Sequence, residues 1–162
     1  MKTITIEEIL RRYKLGYKEF KGVQVEAGSF ANKRLWGVNF EGSMFVKCDF
    51  RRAIIRQCNF SGAILRGSDF RGANFAKSNL SGTDLREANL RGVDLSGVDF
   101  RWAKLEGVDL TGSIIASANF EGANLKNACL RDTDPGKLWW KANLQKAKLD
   151  GTILPDGTVF EG

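Results

Sequence analysis

An apolar residue returns at every fifth place through most of this chain. Residues 81–100 read SGTDL REANL RGVDL SGVDF, four blocks that differ mainly at their first two positions. A period of five is neither the 2 of a strand nor the 3.6 of a helix, so no single regular element produces it. The recurring large residue, here called the centre, falls at Phe40, Phe45, Phe50 and Ile55 and then at each fifth position to Leu130. Every centre over that span is Leu, Ile or Phe. Phe20, Val25, Phe30 and Leu35 keep the same count upstream.

The other positions of the block are as regular. Two places before the centre stands a small residue, such as Ala53, Ala63, Ala73, Ala88, Ala103 or Ala118, with Cys, Ser, Thr or Val elsewhere. The residue between is usually Asn or Asp, and the second residue after the centre is most often Gly. Small–polar–large reads as in–out–in, a very short strand. The two residues that follow form the middle of a tight turn, and Gly at the second of them suits a type II turn. Blocks with Gln57, Glu87 or Trp102 in that place are expected to need another turn type. A strand and a corner every five residues bury nothing alone. The chain must wind, stacking its coils about 4.8 Å apart so that each supplies ladder partners to the next. The fold class is an all-β solenoid.

The tandem A-[N/D]-[L/F]-x-x motif, dense over 36–132, resembles the pentapeptide-repeat family. The resemblance implies a right-handed quadrilateral β-helix with four pentapeptides per coil. Residues twenty apart then stack. Phe20, Phe40, Phe60, Leu80, Phe100 and Phe120 make one interior column, and Phe30, Phe50, Phe70, Leu90, Leu110 and Leu130 the opposite one. The resemblance also implies a bacterial, especially cyanobacterial, setting in which most members have no assigned biochemical role.

A solenoid exposes an apolar cross-section at each end and needs caps. Thr5-Ile6-Glu7-Glu8 has the pattern of a capping box, and Ile6, Ile9, Leu10 and Tyr13 follow at helical spacing, with Gly16 as a stop. A short N-terminal capping α-helix is predicted over 5–15. Near 133–141 the register slips: after Leu130 the next clear centres are Leu144, Leu149 and Leu154, shifted by one. Asp134-Pro135-Gly136 is a turn signature, and one of Trp139 and Trp140 is expected at a centre, the other on the surface. The predicted organisation is a helical cap over 1–19, a β-helix over 20–132, a register break over 133–141, and final repeats with a tail over 142–162, all in one structural domain.

Composition narrows function by exclusion. There is no histidine, which removes triads of the Ser-His-Asp kind and the commonest metal ligand. Cys48, Cys58 and Cys129 have no metal-binding or paired spacing and read as reduced thiols. No phosphate loop, metal cluster or pocket-forming insertion appears, so no enzyme activity, cofactor or metal is expected. Asp94, Asp99 and their counterparts are expected to bond turn backbone rather than to act as paired carboxylates. The N-terminus carries two acids where a signal peptide needs apolar residues, and no run approaches a membrane span; a cytoplasmic location without a membrane partner is predicted.

Net charge is +6. Arg51, Arg71, Arg91 and Arg131 fall in one outward column. Ala76, Ser96, Gly97, Ala116 and Ser117 mark a quieter half of the surface, a candidate homodimer face, and few exposed aromatics are expected. The candidate partner-binding residues are therefore Trp139, Trp140, Arg51, Arg71, Arg91 and Arg131. The function read from the chain is a non-enzymatic protein-interaction scaffold with an unknown protein partner. One alternative is an anionic partner or nucleic acid held by the arginine columns. Another, from the resemblance, is a DNA mimic that binds gyrase, which needs an acidic surface and is disfavoured by the positive charge.

Overall fold

The computed structural model describes residues 1–136 and 144–162. Its organising contact is a parallel bridge between a residue and the one twenty places on, from Glu19↔Asn39 to Ile114↔Asp134 without a change of register. Four pentapeptides therefore make one coil. All centres from Phe40 to Leu130 are buried, together with Phe20, Val25, Phe30 and Leu35. The phenylalanine columns stack as the count predicts. Ring centroids lie 5.7 Å apart for Phe20–Phe40, 5.0 Å for Phe30–Phe50, 4.8 Å for Phe50–Phe70 and 5.0 Å for Phe100–Phe120. Phe40 and Phe45, on adjacent sides of one coil, meet edge to face at 5.1 Å. Such pairs contribute beyond their buried area. A void of only about 10 Å³ remains, where Leu80, Leu85, Leu90 and Leu95 form one all-leucine coil.

Among the described residues, regular strands occur only in the N-terminal part: β1 (Lys2–Thr3), β2 (Val23–Glu26), β3 (Arg34–Trp36), β4 (Met44–Val46) and β5 (Ile54–Arg56). β1, β2 and β4 form one parallel sheet, and β3 and β5 another. β1 continues the winding downward, pairing Lys2 with Val23 and Thr3 with Gln24. Residues ahead of the helix thus join the ladder, an extension the repeat pattern does not announce.

The turns differ from expectation. Gln57, Glu87 and Trp102 adopt the same left-handed conformation as the glycines, with φ of 54°, 65° and 62°. The N–H groups of Gln57 and Trp102 donate to carbonyls of the next coil, those of Ala76 and Glu121. Those bonds offset the steric cost of about 1–2 kcal/mol for a side chain in that conformation. Two turn classes do exist, sorted by a different residue. Most turns close with a bond from the small inward residue back to the preceding centre, as Ala53 N–H to Phe50 carbonyl at 3.0 Å. After Phe20, Leu35, Phe45, Ile55 and Leu90 that N–H instead donates to Ser43, Cys58, Ser68, Ser78 and Ser113, one coil further on. The four serine hydroxyls then donate to the carbonyls of the centres left open, at 2.6–3.0 Å. Gly28 N–H reaches Cys48 in the same way. Strands β2 to β5 each run one residue past their centre into such an open turn.

The cap helix α1 (Ile6–Lys14) begins at Thr5, whose hydroxyl accepts from Glu8 N–H at 3.2 Å. The reciprocal half of the capping box is replaced: the Glu8 carboxylate accepts from Arg11 and Arg12 instead, at 2.7 Å and 2.6 Å. Ile6 and Ile9 are buried against the first coil. A Cβ on Gly28 would lie 2.4 Å from Ile6 Cδ1, so the helix seats where that side chain is missing.

At the far end Asp134 still pairs with Ile114, and Pro135 stands at a centre position, so the ladder runs further than the turn signature suggests. Beyond it, Asn124 pairs with Lys148 and Cys129 with Ile153, an offset of twenty-four rather than twenty. Leu144 and Leu149 pack against the core. The chain then folds back as a hairpin, with Ile153 antiparallel to Val159 and Phe160 N–H bonded to Thr152 carbonyl. The expected placements of Trp139 and Trp140 lie outside the described residues.

Candidate functional site

In a wound coil every side chain that does not point inward is displayed at a place set by its position in the block. The Asn or Asp before each centre and the residue after it flank one buried side chain and so lie side by side outside. The carboxylate or amide accepts from the backbone N–H two residues on, as Asp69 from Arg71 at 3.1 Å, Asp94 from Ser96 at 3.0 Å and Asp99 from Arg101 at 3.0 Å. These acids hold the turns, as the sequence suggests.

The same geometry determines what the arginines do. Where the block reads Asp–centre–Arg, the guanidinium folds back onto its own aspartate. Arg51 meets Asp49 at 2.8 Å, and Arg71–Asp69, Arg86–Asp84 and Arg101–Asp99 each close to 2.6 Å. Hydrogen bonds from the partner arginine hold Asp49, Asp69 and Asp84 below the usual carboxylate range. Burial pushes Asp99 up, but the Arg101 contacts outweigh it and the net shift is down. Arg66 pairs with Glu87 of the next coil. The columns are therefore largely self-neutralised.

Of the candidate arginines, Arg51 and Arg71 stand on successive coils, and Arg51 Nε lies 3.9 Å from Asp69, linking the two pairs. Arg91 reaches across a coil to Asp109 at 2.9 Å. Arg131 is exposed and rests beside Gly157 of the terminal hairpin, away from the others. The structure thus brings Arg51 and Arg71 together; Arg91, one coil beyond Arg71, turns its side chain to Asp109, and Arg131 lies two coils further on. Beside Arg51 lies Arg52, a cation with no ion-pair partner among the described residues. Ala31, Asn32, Arg51, Arg52 and Arg71 line an open depression of about 410 Å³.

The expectation of few exposed aromatics is corrected. Trp36 and Trp102 are 48% and 59% exposed and Tyr17 is 61% exposed. Both indoles are held in place. The Arg56 guanidinium lies 5.4 Å from the centre of the Trp36 ring, Trp36 Nε1 donates to Gln57 Oε1 at 2.8 Å, and Trp36 N–H donates to Tyr13 of the cap helix at 3.0 Å. The Trp102 ring lies flat over Gly122, where a Cβ would come within 2.3 Å of it. The signal was present in the sequence. Both tryptophans occupy turn places, which always face outward. Among the described residues no group of His, Cys, Asp or Glu is arranged to hold a metal ion, and no helix is long and apolar enough to cross a membrane.

A family model for pentapeptide repeats, in eight copies, matches residues 19–57, 53–92 and 94–132. The chain belongs to the pentapeptide-repeat family. Its solenoid is the right-handed quadrilateral β-helix of that family, with an N-terminal helical cap. Among solved structures it is similar to HetL, a pentapeptide-repeat protein involved in heterocyst differentiation regulation in the cyanobacterium Nostoc sp. strain PCC 7120. Identity is 21%, the match covers 97% of this chain and 100% of that one, and the TM-score is 0.59, a likeness of fold. A pentapeptide-repeat protein of the Arabidopsis thaliana thylakoid lumen is 34% identical over 62% of this chain and 67% of its own, with a TM-score of 0.36. QnrB1, a plasmid-mediated fluoroquinolone resistance protein, is 17% identical over 92% of this chain and 89% of its own, also at 0.36. No curated protein matches the chain.

Proposed function

We propose that this pentapeptide-repeat protein is a non-enzymatic interaction scaffold that docks a protein partner through exposed tryptophans held rigid on its corners. The observation that carries this reading is the immobilisation of Trp36 and Trp102 while both remain open to solvent. An indole ordered before binding loses little side-chain entropy on docking, and tryptophans of this kind dominate interface energetics. The two rings lie on neighbouring corners, about three coils or ~14 Å apart along the axis at the inter-strand spacing, a separation one folded partner spans. Trp139 and Trp140 belong to the same proposal as further anchors.

The charge opposes one alternative and the ion pairs oppose the other. A DNA mimic needs a continuous acidic face, and this chain carries +6. Nucleic acid gripped by the full arginine column is disfavoured because, of its four arginines, Arg51 and Arg71 are bonded to their own aspartates and Arg91 to Asp109. The test is capture from nuclease-treated lysate at about 50 and 300 mM salt, a range that screens surface charge. A protein retained at the higher salt, and lost with Trp36→Ala and Trp102→Ala, is the expected result. Retention that disappears at high salt and ignores both substitutions would overturn the reading.

A further inference from the structure

The depression lined by Ala31, Asn32, Arg51, Arg52 and Arg71 is unlike the rest of the arginine surface. Elsewhere Arg66, Arg86, Arg91 and Arg101 each meet one carboxylate, and Arg56 lies over the Trp36 ring. Here three guanidiniums face one open space and only Asp49 and Asp69 answer them. Lys33 and Arg34, both exposed, follow Asn32 in the chain and add to the positive field.

The groups are also ordered in advance. Arg51 donates through Nε and Nη2 to Asp49, and Arg71 does the same to Asp69, so each guanidinium plane is held while its remaining N–H groups stay available. Arg52 sits at φ 56°, in a turn place where the next three coils carry Gly72, Gly92 and Gly112. Its stem passes over Gly72, whose Cβ position lies 3.6 Å from Arg52 Cγ, and this directs the side chain toward Arg71.

We propose that Arg51, Arg52 and Arg71 form a binding site for a single phosphate group. Three forked donors match the three terminal oxygens of a dianionic phosphate, whereas a carboxylate offers two oxygens and half the charge. The site is local. Above it the column continues with Gly72 and Gly92, with Arg91 tied to Asp109, and with Thr111, so no track follows for a polyphosphate or nucleic-acid backbone. The site rests on residues other than the tryptophans of the scaffold proposal, and either can fail without the other.

The experiment is a titration of 15N-labelled protein at constant ionic strength with inorganic phosphate, with a phosphoserine peptide, and with a short single-stranded oligonucleotide. Saturable shifts confined to the turns at Asn32, Arg52 and Gly72, with one of the first two probes, support the site. Tighter binding of the peptide assigns it to a phosphorylated residue, and tighter binding of the ion to free phosphate. Arg52→Gly, which suits the local φ and leaves the fold intact, is expected to weaken binding at least about tenfold, while Arg131→Gln leaves it unchanged. Unaltered binding by the Arg52→Gly variant would sink the proposal. So would shifts spread evenly over all arginines, or saturation by the oligonucleotide alone.

Discussion

A cysteine shows how the five-residue count assigns a chemical role. Cys48 and Cys58 stand at the small inward place and are buried, whereas Cys129 stands at the outward polar place and is only half-buried. Burial pushes the Cys58 thiol up to about 11 and raises Cys48 as well. Since the thiolate is the reactive form, one thiol, Cys129, should react with a disulfide reagent in the native protein and the other two only on unfolding. Three equivalents released at one rate would contradict this assignment. The aspartates make a second case. Asp49, Asp69 and Asp84 titrate below their ordinary range because the arginine two places on donates to them. A carboxyl group depressed in the folded state binds protons more weakly there than in the unfolded chain. Its stabilisation is full above the unfolded value of about 3.9 and is lost as pH falls through the folded value. The urea midpoint should therefore be level from neutral pH to about 5 and fall below about 4, with a shallower fall in Asp84→Asn. A midpoint level through the acid range would show the pairs to be energetically idle.

The coil is an element whose turn class is decided one winding away. An open turn after Phe45 exists because Ser68 stands above it, accepting from Cys48 N–H at 3.0 Å and donating to Phe45 carbonyl at 2.8 Å. Where alanine stands above, as Ala73 does over the turn after Phe50, the turn closes on itself. Removing the hydroxyl leaves a buried donor and a buried acceptor without partners. Ser68→Ala should accordingly destabilise by about 1–3 kcal/mol, read from urea unfolding. A change within ~0.5 kcal/mol, the scatter of neutral substitutions, would mean that the turn simply closes and that the serine does not set its class.

A ladder wound from one chain has two edges, and both are managed. At the start, β1 extends the first sheet by one strand and α1 lies over the apolar cross-section. At the finish, the hairpin pairs Ile153 with Val159 and returns Phe160 N–H to Thr152 carbonyl at 2.8 Å. Without the hairpin the last coil presents unpaired backbone groups, a template for another chain. Truncation after Leu154 should therefore give concentration-dependent association in sedimentation, with the solenoid's circular dichroism retained. A truncated protein that sediments like the full chain at every concentration would show that the hairpin is not an edge guard.

The sequence by itself determined the solenoid, its interior columns and the outward direction of the turn residues, although Ala76, read as part of the quiet outer face, is covered. A period of five with a large apolar centre admits one way to bury those centres, and position in the block decides inside from outside. The cap helix was legible in Thr5 and the Ile6–Ile9 spacing for the same local reason. Trp36 and Trp102 were readable as outward, but not as held in place, because the ring partners are Gln57 and Arg56 for one and Gly122 for the other, all about twenty residues away. Which turns open, whether an arginine pairs with its own aspartate or with the next coil's, and how Arg52 comes to lie beside Arg71 were decided only by the tertiary structure. Each depends on the identity of a residue some 18 to 23 places along, brought within hydrogen-bonding reach by one turn of the winding and by nothing in the local sequence.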